Sequence, residues 1–210
     1  MHWSPALEER LDNLLGPGSR RISYDTALCE AGVALIHGTT VASSKRVLKG
    51  PLPTGLRVIT EPEHVVEAGS RRITRRTWMS SPARALLECA QFPHRVPRAV
   101  EYIADAVLLG APEFDPDSVA ALSEELCLRA GLRRVASVAA GLAASSVRGQ
   151  LEGSPPPQWA ELVPRAGRGD RWIQLSGFRP RRANRWAWYD TARRVVWPYG
   201  PDALASELLT

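Results

Sequence analysis

With 210 residues, 44% of them hydrophobic and 23% charged, the chain has a globular composition and room for one sizeable core or two small ones. It has no run of 18 apolar residues, and Met1-His2-Trp3-Ser4-Pro5 lacks the basic and apolar regions of a secretory leader. The expectation is a cytoplasmic protein without a membrane span. A net charge of +5 favours acidic partners. Cys29, Cys89 and Cys127 are too far apart and too few for a disulfide framework, and read as small core residues.

Residues 4–16 read as a helix. Ser4 caps it, Pro5 takes the first position, Leu7, Leu11, Leu14 and Leu15 form a stripe, and Gly16 ends it. A second helix is predicted over Tyr24–Ala31, capped by Ser23 and ended by Gly32. The period then changes. Thr39–Ala42, Leu56–Thr60, Val65–Ala68 and Ile73–Trp78 are short, β-branched and bounded by Gly and Pro, and so predict strands. His37 reads as a loop or helix-end residue, and Lys49–Gly55 as a turn-rich connection.

From Pro82 to about Ala144 the pattern is helical. Ser81 caps the first helix, and Leu86, Leu87 and Ala90 share its apolar face. Pro97 opens a helix carrying Val100, Ile103 and Val107. Asp115-Pro116 opens the next, and Gly131 separates it from a last one with Leu132, Val135, Val138 and Leu142. Gly149–Pro157 is a linker. The tail holds five of the seven Trp residues, and Trp172–Ser176, Arg185–Tyr189 and Arg194–Trp197 read as strands. The fold class expected is α+β, in three parts: an N-terminal α/β part over 1–80, a helical part over 81–148 and a basic, Trp-rich β part over 158–210.

Enzyme signatures are missing. There is no phosphate-loop lysine motif, no dinucleotide fingerprint, no nucleophile elbow and no His/Cys metal spacing. A nuclease of the carboxylate–x–Lys type is disfavoured, because neither Lys45 nor Lys49 stands two residues after an acid. Asp115 and Asp117 sit where helix caps are expected. No catalytic residue, metal ligand or cofactor is assigned.

Charge is distributed unevenly. Arg71-Arg72-Ile73-Thr74-Arg75-Arg76 would place arginine on both faces of a strand, so this segment belongs at a sheet edge or leads into an exposed connection. Residues 165–194 carry nine Arg against Asp170 and Asp190, whereas 81–150 is near neutral. Within that basic stretch Arg168, Arg171, Arg181, Arg182 and Arg185 interleave with Trp172, Trp186, Trp188 and Tyr189. Phosphate contacts and stacking planes then lie side by side. Arg133 and Arg134 form a smaller patch of the same sign. Arg71, Arg72, Arg75, Arg76, Arg133, Arg134, Arg168, Arg171, Arg181, Arg182 and Arg185 are therefore the candidate nucleic-acid contacts. All but two of the 27 basic residues are Arg, which fits a GC-rich coding bias as well as a selected phosphate-binding set.

Ser81-Pro82-Ala83-Arg84-Ala85-Leu86-Leu87-Glu88-Cys89-Ala90 resembles the "SPxRALL(D/E)" motif of AbiEi-type antitoxins, the repressor halves of toxin–antitoxin pairs. The flanks are similar: Ser23–Val33 to the family's early Ala-Leu helix, Val58–Pro62 to its strand region, and Asp115–Val119 and Leu132–Val135 to its later helices. Gly167–Ile173 looks like its closing basic strand, so the likeness covers roughly 22–175. It implies a non-enzymatic α+β antitoxin in phage defence, with a nucleotidyltransferase toxin as partner, no membrane partner, and operator DNA as a further partner through the basic surface. Direct binding, modification of the toxin and protection of its target all stay open. Such antitoxins begin with a winged helix-turn-helix, and the single helix ahead of Ser23 leads to the expectation that this domain is lacking. The alternatives are a sequence-tolerant nucleic-acid-binding protein without a toxin partner, and a nuclease.

Overall fold

The leucine stripe of the first helix finds its partner in a strand. α1 spans Pro5–Leu15, and Leu11 and Leu15 bury against Val41, with Leu14, Leu56 and Val58 around them. The structure, a computed structural model, describes residues 5–16, 18–33, 39–44, 52, 54–109, 114–149, 155–176 and 187–208. Ser4 and His37 lie outside the described residues. Two compact units are present, 1–85 and 86–210, so the helical run and the Trp-rich tail fold together in the second.

Unit 1 continues with β1 (Arg20–Ile22), α2 (Tyr24–Glu30), β2 (Thr39–Ser43), β3 (Leu56–Thr60), α3 (Glu63–Glu67), β4 (Ser70–Arg72) and β5 (Thr77–Ser80). The sheet order is β3-β2-β1-β5-β4. β2–β3 and β1–β5 are parallel; β1–β2 and β4–β5 are antiparallel. β4 therefore forms one edge, and Ile73–Arg76 connects it to β5 in a turn closed by hydrogen bonds from the Ile73 and Thr74 amides to the Thr77 carbonyl. The arginine-rich segment is thus an edge strand plus an exposed turn rather than one strand over Ile73–Trp78.

Charge in the middle of a sheet accounts for two differences from the sequence pattern. β1 is central yet begins with Arg20 and Arg21, both fully buried. Arg20 pairs with Asp12 at 2.7 Å and donates to Thr77 Oγ1 at 3.0 Å. Arg21 pairs with Glu61 at 2.7 Å and donates to the Val66 carbonyl at 3.0 Å. The predicted strand Val65–Ala68 is instead mostly the helix α3, whose terminal carbonyls are held from below. Arg84, 1% exposed, donates to the carbonyls of Val65, at 2.8 Å, and Ala68. Orphan carbonyls at a helix end require donors, and here buried guanidiniums supply them. Ser23 stands at the start of α2 without capping it, because its hydroxyl makes no bond there.

α4 (Pro82–Gln91) crosses the division between the units; Ser81 Oγ caps it by accepting from the Arg84 amide at 3.3 Å. Unit 2 then comprises a short 3-10 turn (Pro93–Arg95), α5 (Ala99–Leu109), α6 (Pro116–Glu125), α7 (Arg129–Val147), α8 (Gln158–Arg165), β6 (Ile173–Gln174), β7 (Trp188–Asp190), β8 (Val195–Trp197) and α9 (Pro201–Leu208). Asp115 caps α6 by accepting from the Ser118 amide at 2.8 Å. α7 is the central element, with α5, α6, α8, α9 and β8 packed on it. Gly131 lies inside α7 rather than before it. A Cβ there would stand 2.6 Å from the Leu87 carbonyl, so glycine permits the close approach of α4. α8 and α9 are helices in the tail expected to be strands, and the architecture as a whole is α+β. Cys127 is exposed rather than a core residue, while Cys89 is buried. Among the described residues no helix is long and apolar enough to cross a membrane.

Candidate nucleic-acid interface

The surface with the most distinctive chemistry in unit 2 is the outer face of its small sheet, and its geometry begins on α7. Ser137, Gly141 and Ser145 recur every four residues and lie on one stripe of that helix. A Cβ on Gly141 would meet the Trp197 ring at 2.8 Å, so the glycine makes room for the indole. Trp197 Nε1 donates to Ser137 Oγ at 2.9 Å, and Ser137 Oγ donates to Asp190 Oδ2 at 2.7 Å. Arg193 completes the shell of Asp190 with its amide at 3.1 Å and its guanidinium at 2.8 Å. Burial pushes the Asp190 carboxyl up, but the donors from Ser137 and Arg193 prevail and hold it below the usual range. Ser145 Oγ, about two turns beyond Ser137, donates to Asp202 at 2.6 Å and so ties α9 to α7.

The sheet order is β6-β8-β7, with β6 parallel and β7 antiparallel to β8. Trp188 faces Trp197 and Asp190 faces Val195, which places all four on the side turned to α7. Alternation puts Trp172, Gln174, Tyr189 and Val196 on the other side. There Trp172 is 47% and Tyr189 52% exposed, with ring centroids 5.8 Å apart and planes at 83°. Trp188 lies edge-on to Trp197 at 5.4 Å and is still 38% exposed.

Arg133 fixes the loop beside these rings. It is 7% exposed; Nε donates to the Arg193 carbonyl at 2.9 Å, and NH2 to the Arg171 and Arg194 carbonyls at 2.8 and 3.1 Å. Gly169, at φ +66°, rests on this guanidinium; a Cβ there would be 2.4 Å from Arg133 NH1. Arg134 donates from Nε to the Gln174 carbonyl and from NH1 to the Ala90 carbonyl at 2.9 Å. Burial lowers the affinity of both guanidiniums for their protons. The neighbouring Arg194 adds to this at Arg133, and Arg133 adds to it at Arg134, which falls to about 10. Both remain cationic at neutral pH.

No family model, curated protein or solved structure matches the chain.

The candidate arginines therefore separate into kinds. Arg133 and Arg134 do not form a phosphate-contacting patch: they face inward and hold backbone carbonyls. Arg168 and Arg171 are exposed, with no side-chain partner among the described residues. Arg181, Arg182 and Arg185, with Trp186, lie outside the described residues. In unit 1, Arg71, Arg72, Arg75 and Arg76 are all exposed. Arg72 is engaged locally, donating to the Thr74 and Arg75 carbonyls at 3.0 and 2.8 Å and lying 5.6 Å from the Trp78 ring. Arg71 contacts Met79 Sδ at 3.5 Å. The side chains of Arg75 and Arg76, at the turn, have no partner among the described residues.

Sequence reading missed Gly169 and the Ser137–Asp190–Trp197 relay. The four-residue spacing of Ser137, Gly141 and Ser145 is the signal that could have found the relay, since small residues on one stripe mark a close approach. Among the described residues no three His, Cys, Asp or Glu side chains are grouped to hold a metal ion.

Proposed function

We propose that this chain is a cytoplasmic, non-catalytic antitoxin of the AbiEi type that counters a nucleotidyltransferase toxin and binds nucleic acid through the outer sheet face of unit 2. The observation carrying the nucleic-acid part is the pair of exposed rings, Trp172 and Tyr189, preceded in the chain by Arg168 and Arg171, both exposed and without a side-chain partner among the described residues. Cations beside aromatic planes suit a phosphate backbone and its bases. The toxin partner is supported by the resemblance of the "SPARALLECA" segment to the antitoxin motif, four of whose residues have a physical role in this fold. Ser81 caps, Arg84 holds the end of α3, and Leu86 and Leu87 are fully buried.

The roles of these four residues are architectural. The proposal expects a nucleotidyltransferase gene beside this one, and co-expression with that toxin tests it: the wild-type chain restores growth. A second reading, nucleic-acid binding without a toxin partner, is favoured by the same sheet face. A normal affinity for nucleic acid together with no rescue would select it.

A further inference from the structure

We infer that the outer face of the three-stranded sheet is a site for an unpaired nucleotide, with a base against Trp172 and Tyr189 and its phosphates at Arg168 and Arg171, so that the ligand is single-stranded rather than duplex nucleic acid. The inference rests on the reading of this face as a nucleic-acid surface and specifies which nucleic acid it takes.

Three observations converge on it. The first is the exposure of two rings on one face. Trp197 is fully buried with Trp188 edge-on to it, while Trp172 and Tyr189 are about half exposed on the opposite side. Their planes stand at 83°, so they form a corner: a base lying flat on one ring meets the other edge-on. A base in a duplex has both faces covered by its neighbours and cannot enter such a corner, whereas an unpaired base has a free face.

The second is that the corner is held in place. Arg133 draws in the carbonyls of Arg171, Arg193 and Arg194, the residues flanking Trp172 and β8. The Ile173 amide donates to the Arg194 carbonyl at 2.9 Å, and the Leu175 amide to the Val196 carbonyl at 2.8 Å. Arg194 in turn donates to the Asp170 carbonyl. Four carbonyl oxygens that would repel a phosphate are thereby engaged by guanidiniums. A surface fixed in this way loses little conformational entropy on binding.

The third is charge. The loop Gly167–Arg171 places Arg168 and Arg171 next to Trp172 in the chain, both exposed and unpartnered among the described residues. Asp170 is the one acid in the loop. Gly167 and Gly169, at φ +60° and +66°, let the backbone turn tightly here. Two exposed guanidiniums three residues apart suit successive phosphates of an extended strand.

The experiment uses the full chain and fluorescein-labelled oligonucleotides: a 12-mer of deoxythymidine, the same length of uridine, and a mixed-sequence DNA duplex. Anisotropy at several salt concentrations gives affinity and salt slope, and tryptophan fluorescence reports stacking. Both single strands are expected to bind at least tenfold more tightly than the duplex and to quench tryptophan emission. The preferred sugar identifies RNA or DNA as the source. Trp172→Ala should weaken single-strand binding by about fivefold to a hundredfold without changing the salt slope, and Trp172→Phe should restore most of it. Arg171→Ala should reduce the slope by about 0.7.

Circular dichroism of each variant establishes that it is folded. A duplex that binds as tightly as the single strands, or a folded Trp172→Ala variant with unchanged affinity, overturns this inference while leaving nucleic-acid binding intact. Absence of binding to all three probes at low salt overturns the nucleic-acid reading and the inference with it.

Discussion

Ser137→Ala is the most informative single change in unit 2, because one hydroxyl joins a buried indole to a buried carboxylate. Ser137 is fully buried, accepts from Trp197 Nε1 at 2.9 Å and donates to Asp190 Oδ2 at 2.7 Å. The substitution removes a neutral bond of about 1 kcal/mol and a charge-assisted one of about 1.5–3 kcal/mol, and leaves the indole N–H without a partner. Asp190 keeps the Arg193 amide and guanidinium, which limits the damage. A loss of about 3 kcal/mol is expected. Urea unfolding followed by tryptophan fluorescence measures it as a lower midpoint at unchanged slope.

The effect also has a pH signature. The Asp190 carboxyl lies below its ordinary value in the fold, so its contribution is fully present above the unfolded value of about 3.9 and is lost as pH falls through the lower folded value. Ser137→Ala removes one of the donors that lower it. The variant should therefore lie furthest from wild type near pH 7 and approach it in the acid range. A difference below about 1 kcal/mol at pH 7, or one that grows on acidification, would refute the relay as a source of stability.

Arg84→Met keeps the aliphatic stem but removes the donors to Val65 and Ala68, and should cost about 3 kcal/mol. Hydrogen exchange read by mass spectrometry over 63–68 should accelerate, and unchanged protection there would disprove the role of Arg84 at the end of α3. Gly169→Ala should destabilise unit 2 by about 1–3 kcal/mol, through a positive φ and a clash with Arg133, and a melting temperature equal to wild type would contradict that packing. Purified protein incubated with Mg²⁺ or Mn²⁺ and plasmid DNA, tRNA or nucleoside triphosphates should give no turnover. Turnover that vanishes in Asp105→Ala or Asp170→Ala would establish an enzyme instead.

What could be read in the sequence was whatever local chemistry decides. The Ser81 and Asp115 caps, the Gly16 stop and the β-branched runs of β2 and β3 depend on neighbours a few residues away, and they stand as read. Elements decided by distant partners were not legible. β1 resembles a solvated basic stretch until Asp12, Thr77 and Glu61 surround Arg20 and Arg21. α3 reads as a strand because the guanidiniums that hold its last turn come from Arg21 and Arg84.

The site shows the same division. Arg168, Arg171, Trp172 and Tyr189 were recognisable from composition, since exposure is the default for Arg and the aromatics lie close in sequence. That Arg133 and Arg134 face inward depends on carbonyls of 171–174 and 193–194 in the tail and on Ala90, and no spacing rule anticipates those contacts.

Antagonism of a nucleotidyltransferase toxin, the function proposed for this chain, is tested most directly by growth rescue. Cells arrested by the nucleotidyltransferase that the proposal places beside this gene should resume growth when the wild-type chain is co-expressed. They should remain arrested with Leu87→Asp, which places a carboxylate at a fully buried position and unfolds the protein. Continued arrest in the presence of soluble, folded wild-type protein would contradict the claim.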